Sequence, residues 1–151
     1  MASRVPHASF IANFSQDAEF SHPPGASFAR LLEHRLRSVA TVAGFENWRD
    51  CGWSVNAAVG EKRFEVYFAP FEANNRWLLV AAPLGQPGIC GRLLGRKPVP
   101  VEQDLRVLCD TIHALLISTA GVSDVRWMFG GPPGKVPHVD EPAQLGWSIA
   151  L

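Results

Sequence analysis

Cys109 and His113 are four residues apart, the spacing that brings two side chains together on one turn of a helix. A thiolate beside an imidazole is a nucleophile with its general base. Such a pair needs a carboxylate or amide to orient the ring, and the sequence assigns none; Asp110 points elsewhere on the same helical wheel. Cys109 also falls inside an apolar stripe, where a free cysteine usually serves as a small core residue. Packing is therefore expected, and no catalytic residue is assigned. His7, His22, His34 and His138 stand alone, without H-x-x-x-H, H-E-x-x-H or clustered-carboxylate spacing. No metal ligand and no cofactor site is expected. The absence of a G-x-S-x-G elbow gives no hydrolase serine.

Phosphate chemistry has little support either. Gly130-Gly131-Pro132-Pro133-Gly134-Lys135 has three residues between Gly130 and Gly134 where a phosphate loop needs four. Val136 stands where Ser or Thr should follow the lysine, and Pro137 blocks a helix, so the segment reads as a turn. The Gly/Pro loop 83–99 is a better place for a ligand. It offers glycine amides together with Arg92, Arg96 and Lys97 just before a helix, a combination able to hold an anion. Arg35 joins these candidates because it falls within the apolar arc of the first expected helix. A cation there must reach solvent, pair with a carboxylate or meet a ligand.

Charge and composition limit the partners. Fourteen Lys and Arg balance fourteen Asp and Glu, which removes the basic surplus of a nucleic-acid binder. Three widely spaced cysteines, Cys51, Cys90 and Cys109, make neither a zinc ribbon nor a disulfide framework. A reducing cytoplasm is the expected location. The first residues are not followed by the apolar run of a signal peptide, and no stretch is long enough to span a membrane. Neither nucleic acid nor membrane is expected as a partner. The abundance of Gly and Pro points to a bacterial source.

The elements that must position these groups follow from periodicity. Residues 1–24 read as an irregular N-terminal arm whose Phe10, Phe14 and Phe20 fold back on the body. Residues 25–151 form one α+β domain. A helix runs from an N-cap at Ser27 to about Ala43, burying Phe28, Leu31, Leu32, Leu36, Val39 and Val42. Three strands follow, with Trp53, Val55 and Ala57, then Phe64, Val66 and Phe68, then the doubly apolar run from Trp77 to Ala82. A second helix from near Pro100 to Gly121 buries Leu105, Leu108, Cys109, Ile112, Leu115 and Leu116. Val122–Phe129 is a fourth strand, residues 135–144 a loop, and Leu145–Leu151 a fifth, edge strand. The expected fold is a two-layer α+β sandwich, a mostly antiparallel five-stranded sheet with two helices on one face, in the order α-βββ-α-ββ.

That order and length resemble those of type III secretion chaperones, and small bacterial immunity proteins are similar compact α+β binders. The resemblance implies a non-catalytic module that binds another protein. The alternation places Ser54, Asn56, Glu65, Tyr67, Leu78, Val80, Arg126 and Met128 on the face away from the helices. Of these, Tyr67, Leu78, Val80, Arg126 and Met128 are the expected contacts for a partner protein or for a second copy in a homodimer. The rival occupant of that face is the chain's own N-terminal arm or C-terminal tail. The alternative function is binding of a small molecule or anion, with enzymatic activity open, at a pocket using Arg35, Arg92, Arg96 and Lys97.

Overall fold

Pairs of residues with left-handed backbone mark the tight turns of the central sheet. Arg49 and Asp50 have φ of 52° and 56°, and Asn74 and Asn75 have 67° and 59°. Two successive positive φ values give a turn whose twist matches that of its flanking strands, so each pair closes a hairpin. The Asn47 carboxamide secures the first turn, accepting from the Asp50 N–H at 2.8 Å and donating to the Asp50 carboxylate at 3.1 Å. In the computed structural model, which describes residues 5–14, 23–97, 99–130 and 134–147, these pairs join β2 (Thr41–Trp48) to β3 (Gly52–Val59) and β4 (Lys62–Glu72) to β5 (Arg76–Leu84), and a turn at Gly60 joins β3 to β4. With β1 (Pro6–Ile11) and β6 (Ser123–Phe129) they form a six-stranded sheet in the order β2-β3-β4-β5-β1-β6. Every neighbouring pair is antiparallel. Helices α1 (Ala26–Leu36) and α3 (Glu102–Ser118) pack on one face, giving the expected α+β sandwich. A short helix, α2 (Ile89–Leu93), lies inside the 83–99 loop.

Six strands are described where periodicity predicts five: two are additional, β1 and β2, and the expected strand at Leu145–Leu151 is not among them. The first helix stops at Leu36 instead of near Ala43. Beyond it, Val39, Thr41 and Val42 are stiff β-branched residues that suit a pleated strand, and they lead into β2. Gly44, at φ 135°, lies where the β2–β3 register shifts between Val42 and Phe45, a conformation few other residues tolerate. At the other end, residues 6–11 of the expected arm are the interior strand β1, seated between β5 and β6. The observed order is therefore β-α-ββββ-α-α-β, which departs from the order that carried the resemblance above.

Smaller corrections concern element ends. Gly25, not Ser27, is the N-cap of α1, and its φ is 106°. The helix α3 starts at Glu102, with Glu102 and Asp104 in its first turn, where carboxylates suit the helix dipole. Lys62 on β4 reaches Asp104 at 2.8 Å and ties the sheet to that turn. In place of the expected edge strand, residues 145–147 are not in a strand, while 148–151 lie outside the described residues. The preceding loop contains a 3₁₀ turn at Pro142–Gln144 and a bridge between Val139 and Trp127.

The core between sheet and helices is aromatic. Phe14 stacks on Phe28 at 4.9 Å between ring centroids and meets Trp77 edge-on at 4.9 Å, and Phe28 meets Phe68 edge-on at 5.1 Å. Each indole near this core finds an acceptor for its N–H. Trp53 donates to the carbonyls of Pro23 and Pro24, Trp77 to Ala12 O at 3.0 Å, and Trp127 to His113 Nδ1 at 3.1 Å. Such pairing removes the penalty of burying a polar N–H. Phe20 lies outside the described residues. No described helix is long and apolar enough to cross a membrane.

Candidate functional site

The register of the sheet defines its helix-free face. Directly opposed residues share a face, so Met128, His7, Val80, Tyr67, Ser54 and Glu46 form one row across all six strands. The adjoining row holds Arg126, Ser9, Leu78 and Ala69. The structure thus brings the five expected partner-binding residues onto one face, but their accessibility differs. Tyr67, Leu78 and Arg126 are half-buried. Val80 and Met128 are only 3% and 1% exposed, so neither offers more than an edge to another molecule. Both lie outside the main core cluster.

Of the rival covers expected from this chain, residues 15–22 of the arm and 148–151 of the tail lie outside the described residues. Phe10 and Phe14 are in the helix-side core, and so are Leu145 and Trp147 from the C-terminal segment. Among the described residues, the aromatic surface of the helix-free face is completed instead by Trp48, whose ring stacks on Tyr67 at 4.6 Å and an interplanar angle of 9°. The Arg49 guanidinium lies 5.0 Å from the Trp48 ring centroid, within cation–π range. Burial, reinforced by the Glu65 carboxylate, pushes the Tyr67 phenol above its ordinary value, against the pull of Arg49. The ring therefore stays neutral through the physiological range. Asn56 donates to the Glu46 carboxylate at 3.0 Å beside this platform.

Arg126 is held by its neighbours. Its Nε donates to Asp124 Oδ1 at 3.0 Å and its Nη2 lies 2.9 Å from Oδ2. Arg76 pairs with the same carboxylate and also donates to the fully buried Ser9 hydroxyl at 2.7 Å. One network thus pins β5, β1 and β6 together. Burial acts to raise the Asp124 pKa, but the hydrogen bonds and charges of Arg76 and Arg126 outweigh it and hold the carboxyl below its ordinary value. In the row of Met128 and Val80, burial lowers the His7 pKa despite a 2.8 Å hydrogen bond between its Nδ1 and Val5 O.

Cys109 is fully buried, and burial pushes its thiol far above the ordinary range, with Asp110 adding in the same direction. A thiolate is therefore disfavoured. His113 accepts the Trp127 indole hydrogen at Nδ1. Arg35 is exposed because α1 turns Ala26 and Ala29 inward, which leaves Leu31 at 48% exposure and Arg35 outside the buried arc. Arg92, Arg96 and Lys97 are exposed and share one loop, whereas Arg35 lies on α1, which packs on β2, β3 and α3. Among the described residues, none of these four cations enters an ion pair or a side-chain hydrogen bond. No group of three or more described His, Cys, Asp or Glu side chains converges on a common point.

No protein-family model, curated protein or solved structure matches this chain.

The residue that sequence reasoning missed is Trp48. It sits in β2, which periodicity had partly assigned to the preceding helix. The usable signal was the β-branched run at Val39, Thr41 and Val42 followed by Gly44, which breaks a helix before Phe45 and Trp48 are reached.

Proposed function

We propose that this chain is a non-catalytic protein-binding module that takes a partner protein, or a second copy of itself, on its helix-free sheet face. The observation that carries this reading is the Trp48–Tyr67 stack, a half-buried aromatic pair beside Leu78 on a face the two main helices leave free. Aromatic residues and arginine are the types that dominate binding energy at protein interfaces. Tyr67, Leu78, Arg126 and Trp48 are its accessible contacts, while Val80 and Met128, on the same face, are almost fully buried. The role resembles that of a chaperone or immunity protein, in a cytoplasmic and bacterial setting.

Two measurements test the reading. Light scattering across a wide concentration range reports self-association, and retention of a protein from a cell extract reports a different partner. The variant Trp48→Ala/Tyr67→Ser/Leu78→Ser changes only half-buried positions, so it should fold while losing either association. A triple variant with unaltered mass and unaltered retention removes the proposal. Met128 is left intact because a change at so buried a position would confuse unfolding with lost binding.

A further inference from the structure

A second surface is built differently. The Gln86 carboxamide clasps the backbone of Val99 in both directions, donating to its carbonyl and accepting from its N–H, each at 3.2 Å. The loop so closed is internally bonded: Leu94 N–H donates to Cys90 O at 3.1 Å, Gly95 to Arg92 O at 3.1 Å, and Arg96 to Gly91 O at 2.9 Å. An ordered backbone therefore holds out Ile89, Leu93 and Leu94, which are 81%, 82% and 80% exposed. Among the described residues, the other exposed large hydrophobic side chains range from 37% to 64%. None of the residues of α2 is buried. Arg92, Arg96 and Lys97 are interleaved with these aliphatics, and no Asp or Glu occurs anywhere between Glu72 and Glu102.

We propose that this finger docks on an anionic lipid surface, with Ile89, Leu93 and Leu94 entering the acyl boundary and Arg92, Arg96 and Lys97 meeting headgroup phosphates. Folding gains nothing from holding aliphatic side chains in water, so their place is explained by a medium that takes them up. A specific protein interface needs roughly 800 Å² from each side and leans on aromatic anchors. Three aliphatics on one finger fall short of that. A fluid lipid boundary demands no matching shape, and apolar insertion combined with cations at the surface is sufficient for it. The lack of a spanning helix, which led to the expectation of no membrane partner, has no bearing on a segment that lies on the surface.

The test is cosedimentation of the full chain with vesicles of phosphatidylcholine alone and of phosphatidylcholine mixed with phosphatidylserine. Binding to the mixed vesicles should be at least about tenfold stronger and should weaken as salt is raised. Leu93→Ser/Leu94→Ser and Arg92→Gln/Arg96→Gln should each reduce it by about tenfold, with unchanged far-ultraviolet circular dichroism, since all four side chains are exposed. An environment-sensitive dye on the exposed Cys90, in a Cys51→Ser background, should shift to the blue on mixed vesicles. Three results overturn the proposal: no binding, equal binding to both vesicle types, or binding that leaves the Cys90 dye unshifted. The first of these points to an acidic protein as the finger's partner.

Discussion

The two faces of the sheet use the same strands and similar residue types, yet they treat aromatic side chains in opposite ways. On the helix side Trp53, Trp77 and Trp127 are buried, and each indole N–H has an acceptor. On the other side Trp48 and Tyr67 lie flat on each other at half exposure, flanked by Arg49. The first arrangement maximises burial and directional bonding, which is what holds a fold. The second leaves apolar area and polar edges available, which is what a binding surface needs. The difference implies that substitutions on the helix side should unfold the chain, whereas those at Trp48 and Tyr67 should cost little stability and, on the function proposed above, should remove association.

The largest expected effect comes from the helix-side core. Phe68→Ala removes a fully buried ring that meets Phe14, Phe28 and Trp77, and should cost about 3–5 kcal/mol in urea unfolding. A loss below about 1 kcal/mol there would erase the contrast between the faces. Next is Gly52→Ala. A Cβ at Gly52 would stand 2.0 Å from the Phe68 carbonyl oxygen, so β3 and β4 must separate, at a cost of about 3 kcal/mol. On the free face, Trp48→Ala should cost only about 1 kcal/mol in the same unfolding measurement while abolishing the association seen by light scattering or retention. A loss comparable to that of Phe68→Ala would make the Trp48–Tyr67 stack a second core.

Two titrating groups sharpen the comparison further. Asp124→Asn should cost at most about 1 kcal/mol, because the carboxylate is partly exposed. Its folded pKa is depressed, so its contribution is complete above the ordinary carboxyl value of 3.8 and is lost as pH falls through the lower, folded value. The Asn variant should flatten that acid loss. His7 has the smallest expected effect. Its folded pKa lies below 6.5, so the unfolded chain binds the proton first. Stability is therefore complete above pH 6.5 and declines as pH falls from there toward the folded pKa. Urea midpoints for the wild type should fall over that window and those for His7→Gln should not.

How much was legible in the sequence varies along the chain. The stripe of α3 from Leu105 to Leu116 was readable in full, because a 3.6-residue period over several turns has no competing explanation. The β3 and β4 strands were readable at period 2, and β5 as a run apolar on both faces after the turn at Asn74-Asn75. At β2 the period failed, since Val39 and Val42 fit both the end of a helix and the start of a strand. Tertiary pairing with β3 decided between them. For β1, six residues within the expected arm carried no periodic signal of an interior position, and only the pairing of Ala8 with Leu79 and Trp127 reveals it.

The candidate surfaces divide along the same line. Alternation alone determined which residues share the helix-free face, because side chains of a strand can point only two ways. It could not determine that Val80 and Met128 are shut off while Tyr67 stays open, nor that Trp48 comes from another strand to stack there. Those depend on which strand lies beside which. In the finger, the sequence established that three cations occur in a stretch free of acids. Tertiary structure decided that Ile89, Leu93 and Leu94 point away from the body, since exposure depends on what the rest of the chain packs against, and the Gln86–Val99 clasp closes the loop without burying them.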